Sequence, residues 1–358
     1  MMIRVDDKGQ PITAIAMVSG GLDSTLALRL IAGMGIEIHG VSFSTGFSPA
    51  AHHRARTGHA SETPEDAART AVKALQVGDN VEVAVHIVDV ADEFLHEVLM
   101  NPQYGRGREM NPCIDCRIFL LRKARSIMEE IEAHFVFTGE VLGQRPMSQH
   151  RQALQLVEEQ SGLKGLLLRP LSARHLEPTT AEEKGWVDRQ QLLAIRGRSR
   201  KTQMELAASY GITDYSQPAG GCLLTDPSFS QRLQDTFDHT DDKSTLTIED
   251  MELLKVGRHF RLPSGVKVVV GRDDAENRCL EELNVDKWSL RALDCPGPLT
   301  LADVTASDDD LYIAAALTAR YSQGRAEPRL RVLLSSGEVE KEIEVEPLDR
   351  DGADRWMI

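Results

Sequence analysis

The hexapeptide "SGGLDS", residues 19–24, follows directly on an apolar run from Ala14 to Val18. Two adjacent glycines and three small hydroxyl or acidic side chains at the end of a strand-like run leave two outcomes: a tight turn, or a cradle for phosphate. Glycine lets the backbone approach an anion closely, because no Cβ intervenes. A helix opening at Asp23 or Ser24 would add unpaired N–H groups and the positive end of a dipole. The hydroxyls of Ser19 and Ser24 can donate to phosphate oxygens. Asp23 repels phosphate, and reads instead as a helix N-cap or as the partner of a phosphate-bound Mg2+. The pattern is not the Walker one, since its lysine is missing and the loop is shorter.

The surrounding pattern decides for phosphate. Strand-like stretches at 12–18, 36–43, 81–88, 134–139 and 165–171 alternate with helical patterns at 23–34, 64–76 and 116–133. Such alternation predicts a parallel sheet wrapped on both faces, the Rossmann-like α/β class, with ligands outside the carboxyl ends of the strands. The hexapeptide falls at that end of the first strand. Residues 44–62 read as a loop whose His52, His53 and His59 lack companion ligands, which argues against a metal there. Residues 236–248 are polar and acidic and read as a linker. The expected domains are therefore 1–235, catalytic with a helical extension, and 249–358, a smaller α+β domain with a strand–turn–strand signal at Pro263-Ser264-Gly265.

Composition restricts the function classes. The formal charge of the 358 residues is −14, which argues against a general nucleic-acid binder but not against a local basic face. No apolar run approaches a membrane span and the N-terminus has no apolar signal core, so a cytoplasmic location with reduced thiols is expected. Five cysteines then read as ligands, nucleophiles or buried apolar groups. Cys113 and Cys116 form a CxxC before a helical pattern, and Cys222 lies far downstream in "AGGC". The pair could be a redox couple, a zinc half-site or an iron–sulfur half-site. Three cysteines can bind three irons of a [4Fe–4S] cluster and leave the fourth open. Cys279 and Cys295 read as buried structural thiols.

A third stretch, "FVFTGEVLGQRPMSQ" at 135–149, ends a strand in Thr138-Gly139-Glu140 and continues into a polar loop with Gly143, Gln144 and Arg145. In a doubly wound sheet this end sits beside the first loop. The strand–SGGxDS–helix unit resembles the PP-loop of the ATP pyrophosphatases. Together with "CIDC" and "TGEVLGQ" it resembles the catalytic domain of the tRNA 4-thiouridine synthetases and related thiolation enzymes, over about residues 10–225. That resemblance implies an adenine nucleotide alpha hydrolase type of fold, with ATP and Mg2+ held by Ser19, Gly20, Gly21, Asp23, Ser24, Phe43, Gly139 and Gln144. It implies catalytic roles for Asp23, Cys113, Cys222 and Arg145, and a [4Fe–4S] cluster on Cys113, Cys116 and Cys222.

From "RHFRLPSGVKVVVGRDDAENRCLEEL" onward the chain resembles the NFACT-R module, thought to bind RNA. Arg258, Arg261, Lys267, Arg272, Arg278, Lys287 and Arg291 cluster there, with Trp288 available for stacking on bases. Arg196, Arg198, Arg200 and Lys201 form a second basic run, readable as an RNA-backbone contact or as solvated surface. Expected partners are RNA, taken as tRNA, and a sulfur donor (sulfide or the persulfide of a cysteine desulfurase), with a homodimer left open. The expected reaction is ATP-dependent thiolation of an RNA base. The alternatives are a PP-loop ligase or amidating enzyme without sulfur chemistry, and a non-catalytic RNA- or ribosome-binding factor.

Overall fold

The computed structural model describes residues 3–48, 83–212, 215 and 222–358. The helical pattern at 64–76, the three loop histidines and the glycines of "AGGC" lie outside the described residues. The chain divides into two compact units. The first contains the described residues 3–46, 83–212 and 215, and the second contains 47–48 and 222–358.

In the first unit, five strands form one sheet: β1 (Thr13–Met17), β2 (Glu37–Ser44), β3 (Ala84–Asp89), β4 (Phe135–Phe137) and β5 (Leu167–Leu168). Their order is β3-β2-β1-β4-β5, and every neighbouring pair is parallel. Side chains alternate across a strand, and here both faces are buried. Ala14, Ala16, Phe135 and Phe137 enter one core cluster with Leu22, Leu26 and Leu28 of α1 (Leu22–Ala32). Ile15 and Val136 enter another with Ile118, Leu121 and Ala124 of α2 (Cys113–Glu130) and Val157 of α3 (Arg151–Gln160). Complete burial of each such aliphatic or aromatic side chain is worth about 1.5–3 kcal/mol, which is why the sheet's centre reads as unbroken apolar runs. A fourth helix, α4 (Lys201–Ser209), adds Ala207 to the first cluster.

The second unit is built on six strands: β6 (Arg258–Arg261), β7 (Lys267–Val270), β8 (Lys287–Ala292), β9 (Thr300–Asp303), β10 (Leu330–Ser336) and β11 (Val339–Val345). Their order is β11-β10-β8-β9-β7-β6, with every neighbouring pair antiparallel. The helices include α5 (Pro227–Asp238), α6 (Asp274–Glu282) and α7 (Asp308–Arg320). Ala314, Ala315 and Ala319 of α7 are small enough to pack close against the sheet, in one core cluster with Phe260, Val268 and Val332.

The expected linker at 236–248 is corrected. Residues 236–238 complete α5, and Asp235 accepts ion pairs from Arg261 at 2.6 Å and Lys267 at 3.2 Å. Asp242 caps the turn Lys243–Thr245, and Thr247 opens a short helix with a capping box. The acidic residues that read as solvated spacer are caps and counter-charges. Among the described residues no helix is long and apolar enough to cross a membrane.

One contact fixes the junction of sheet and helix in the first unit. A Cβ at Gly139, just past β4, would stand 2.4 Å from the Ser24 backbone nitrogen and 2.5 Å from the Asp23 carbonyl carbon. Backbone cannot yield as a flexible side chain does. Gly139→Ala is expected to lower stability by about 1–3 kcal/mol, the usual cost of overpacking, measured as a shift of the urea midpoint. An unshifted midpoint would show that α1 can move off β4 freely.

Candidate active site

The strand order of the first unit reverses between β1 and β4, so the loops leaving these two strands define the crevice where such sheets bind ligands. Gly20 has φ +71°, a region that glycine alone enters without strain. Gly21 is the N-cap of α1 and makes no side-chain capping bond. A Cβ on Gly21 would meet only Ser19 Oγ, at 3.6 Å. No protein contact requires glycine there, and its absent side chain leaves the first-turn amides of α1 approachable. That is the geometry of an anion cradle.

Two expected roles change. Ser24 Oγ donates to the Gly21 carbonyl at 2.8 Å and lies 3.1 Å from Ser19 Oγ, so these hydroxyls brace the loop internally. Asp23 does not cap the helix, because it lies inside α1 beyond the Gly21 cap. Its Oδ2 accepts a 2.8 Å hydrogen bond from Gln144 Nε2. Asp23 Oδ1 and Gln144 Oε1 are both buried without a hydrogen-bond partner. Two unsatisfied oxygens beside a phosphate cradle suit a hard divalent cation such as Mg2+. Phe43 stands at the carboxyl end of β2, half-buried against the second core cluster.

The cysteine pair begins inside α2, not before it: Cys113 is the helix's first residue and Cys116 lies one turn on. Cys113 Sγ donates to Asn111 Oδ1 at 3.1 Å. Arg117, next along the helix, was not singled out from sequence. Its place directly after the CxxC was the available signal. Its Nε lies 3.6 Å from Glu140 Oε1, and Arg169 Nε lies 3.1 Å from Glu140 Oε2. Arg169 also pairs with Glu158 at 2.9 Å and donates to the Leu154 carbonyl. Burial pushes the Glu140 carboxyl up, but Arg169 and Arg117 outweigh it and hold the group below the usual glutamate value. Burial alone would lower Arg117; the charges of Glu140, Cys116 and Cys113 reverse this and raise it. Arg145 is held below the usual arginine value, first by the like charge of Arg117 and then by burial, against the pull of Cys113, Glu140 and Asp23. Arg145 directly follows Gln144, which holds Asp23, and Glu140 at the end of β4 pairs with Arg117 of the cysteine helix, so the loop after β4 links the two.

Cys222 belongs to the second unit, where its thiol donates to the Phe47 carbonyl at 3.6 Å. Among the described residues no group of three or more His, Cys, Asp or Glu side chains could hold a metal ion. The expected [4Fe–4S] triad would draw Cys113 and Cys116 from the first unit and Cys222 from the second. Cys279 is raised by burial, and Cys295 donates to Ser322 Oγ at 3.4 Å, as structural thiols do.

Residues 12–179 match the tRNA methyl transferase HUP domain family. The first unit is similar to that HUP domain, over just under half of the chain. A tRNA-specific 2-thiouridylase of Xanthobacter autotrophicus is 24% identical over 238 residues, covering 64% of this chain and 56% of that protein. One from Acidothermus cellulolyticus is 31% identical over 105 residues, covering 28% of this chain and 27% of its own length. The chain thus spans little more than half of the first of these relatives and about a quarter of the second. Residues 257–357 match the NFACT protein RNA binding domain. Among solved structures, a 4-thiouridine synthetase–RNA complex with bound ATP is 19% identical, covering 68% of this chain and 53% of that one at a TM-score of 0.37.

Beside the HUP domain's crevice, the basic run is tied to the loop that carries Gln144. Leu142 bridges to Arg196, and the Gly197 amide donates to the Leu142 carbonyl at 2.7 Å. In the second unit the expected basic face is neutralised from within. Arg272 pairs with Glu276 at 3.0 Å, Lys287 with Asp303 at 3.7 Å, and Arg291 with Glu281. Lys267 is buried, pushed down to about 8 by burial with Asp235 opposing. Arg258 stacks 4.6 Å over the Tyr321 ring. Arg278 donates to its own helix at Asp274. Trp288 is partly buried against the core, with Lys341 Nζ 5.3 Å from its ring centre.

Glu140→Gln removes the one carboxylate shared by two arginines. Breaking a buried pair costs about 3–5 kcal/mol, measured by urea unfolding at pH 7. Because the folded pKa is lowered, this contribution is present above the unfolded glutamate value, near 4.5, and is lost as pH falls through the folded value. Wild type should therefore lose stability below pH 4.5 more steeply than the variant. Parallel acid curves would mean that Glu140 carries no net charge in the fold.

Proposed function

We propose that the protein is an ATP-dependent RNA sulfurtransferase acting on a base of tRNA. The observation that carries this reading is the loop after β4: Gln144 holds Asp23 of the phosphate loop, and Glu140 pairs with Arg117 of the helix that Cys113 opens. Relatives named as tRNA-specific 2-thiouridylases and the NFACT RNA-binding match support the substrate class.

In this reading the triphosphate of ATP lies on the amides that follow Gly20 and Gly21. Asp23 and Gln144 would hold Mg2+ through their unpartnered oxygens; the ion would neutralise charge on the phosphates. The carbonyl oxygen of the base forms a bond to the α-phosphorus, the α–β bridge breaks, and pyrophosphate leaves. The base is now O-adenylated, with AMP as leaving group. Fixed positive charge from Arg145 and the loop amides stabilises the leaving pyrophosphate. Sulfide, or the terminal sulfur of a persulfide on Cys113, then attacks the activated carbon and the bond to AMP breaks. On the persulfide route a second thiol cleaves the S–S bond. The resulting disulfide is reopened by a thiol reductant. Cys222 is the second thiol of this proposal. The NFACT domain contributes RNA binding, with Arg258, Arg272 and Trp288 its proposed contacts.

Alanine at Asp23 is expected to abolish release of AMP and pyrophosphate in the presence of tRNA, with a far-ultraviolet circular dichroism spectrum like the wild type's. Normal turnover by that variant would remove the loop from the chemistry. Single alanine variants divide the cysteines. Cys113 and Cys222 should be needed for thionucleoside formation, read by nucleoside mass spectrometry, while Cys279 and Cys295 should be dispensable. Iron with acid-labile sulfide in anaerobically purified protein, lost on changing Cys116, would restore a cluster and displace the persulfide route. Activity in both the Cys113 and Cys222 variants would overturn sulfur transfer by these residues.

A further inference from the structure

Most of the basic residues that the sequence clusters in the second unit carry a counter-charge, Arg258 and Arg278 excepted. In the second unit, Arg261, Lys267, Arg272, Lys287 and Arg291 each have a carboxylate partner. In the HUP domain, Arg196, Arg198 and Arg200 have no ion pair and no side-chain hydrogen bond among the described residues. Arg196 and Arg198 are exposed. Arg200 is half-buried, and its Nε is buried without a partner. A guanidinium nitrogen shielded from water and left unbonded is costly unless a ligand completes it.

Their position is set by backbone. Gly197 has φ +87° and Gly143 has φ +78°; a Cβ on Gly143 would lie 3.5 Å from the Gly197 nitrogen. Two left-handed glycines thus allow the arginine segment to lie against the loop after β4. One residue beyond Gly143, Gln144 holds Asp23 of the phosphate loop. The segment is therefore linked to the ATP cradle through one hydrogen-bonded loop. Lys201 is excluded from the set, because it lies 3.8 Å from Glu205. The three arginines, with no nearby carboxylate neutralising them, suit planar bidentate recognition of phosphate.

We propose that Arg196, Arg198 and Arg200 form the contact by which the HUP domain grips the phosphodiester backbone of its RNA substrate beside the phosphate loop. This rests on the RNA-sulfurtransferase reading for its substrate. It goes beyond that reading in placing the backbone contact on the catalytic unit and not on the NFACT domain alone. The ATP triphosphate shares the same chemistry, and the test separates the two.

The experiment compares the full-length protein with an Arg196→Ala/Arg198→Ala/Arg200→Ala variant, using unmodified tRNA transcript in equilibrium binding across a salt series. ATP saturation of AMP release is measured in parallel. The variant is expected to bind transcript about tenfold or more weakly at low salt, with the slope of log K against log salt shallower by about 2, since each phosphate contact contributes roughly 0.7–0.9. The KM for ATP should stay within twofold. A circular dichroism melt and an Arg196→Lys/Arg198→Lys/Arg200→Lys variant, which keeps charge and should regain most of the binding, separate contact from folding. Unchanged affinity and slope overturn the proposal. So does a raised KM for ATP with RNA binding intact, which assigns the arginines to the triphosphate. Binding requires no sulfur chemistry, so absence of thionucleoside product with normal RNA binding would reject the sulfurtransferase reading and leave this contact standing.

Discussion

Glu140 is the charge on which the first unit depends. It directly follows Gly139 at the end of β4, is buried, and meets Arg117 of α2 on one side and Arg169 beyond β5 on the other. An isolated carboxylate at such a place would be neutralised by protonation. Two guanidinium groups keep it ionised, and it in turn keeps them fixed. Through Arg117 the pairing reaches the cysteines at the start of α2. Through Arg169 it reaches Glu158 and the Leu154 carbonyl of α3. Buried ion pairs are weak evidence for stability as such. Here the pair joins a strand end to the helix that carries a candidate nucleophile, and so sets the crevice's geometry.

The other half of the crevice is made by the absence of side chains. Gly139 lets the first turn of α1 lie against β4 at a distance no other residue allows. Gly20 turns the chain at positive φ, and Gly21 leaves the first amides of the helix open. The Ser19 and Ser24 hydroxyls brace the loop from within. Asp23, locked by Gln144, is left with one unsatisfied oxygen pointing to cation chemistry and not to capping.

Charge is sorted between the units by pairing. The second unit uses its lysines and arginines to complete its own fold: Asp235 of α5 gathers Arg261 and Lys267, and Glu276 of α6 holds Arg272. The first unit leaves Arg196, Arg198 and Arg200 without counter-charges among the described residues. Counting basic residues along the chain ranks these two regions in the reverse order.

The alternation of apolar runs with helical patterns was enough to read a parallel, doubly covered sheet, because burial on both faces leaves no polar alternation in the central strands. "SGGLDS" was enough to locate the glycine turn between β1 and α1, because glycine after a buried strand permits the positive φ that the turn needs. The motifs also carried the family, since spacing of glycine, aspartate and cysteine is local. What needed tertiary structure was every property that depends on a distant partner. The sequence could not show that Asp23 is held by a glutamine 121 residues away, that Ser24 turns inward, or that the arginines near 261 are spoken for by Asp235. Nor could it show that Arg117 and Arg169 share one glutamate. Local propensity and hydrophobic period are written residue by residue; whether a charge is free or paired is decided only when the chain closes on itself.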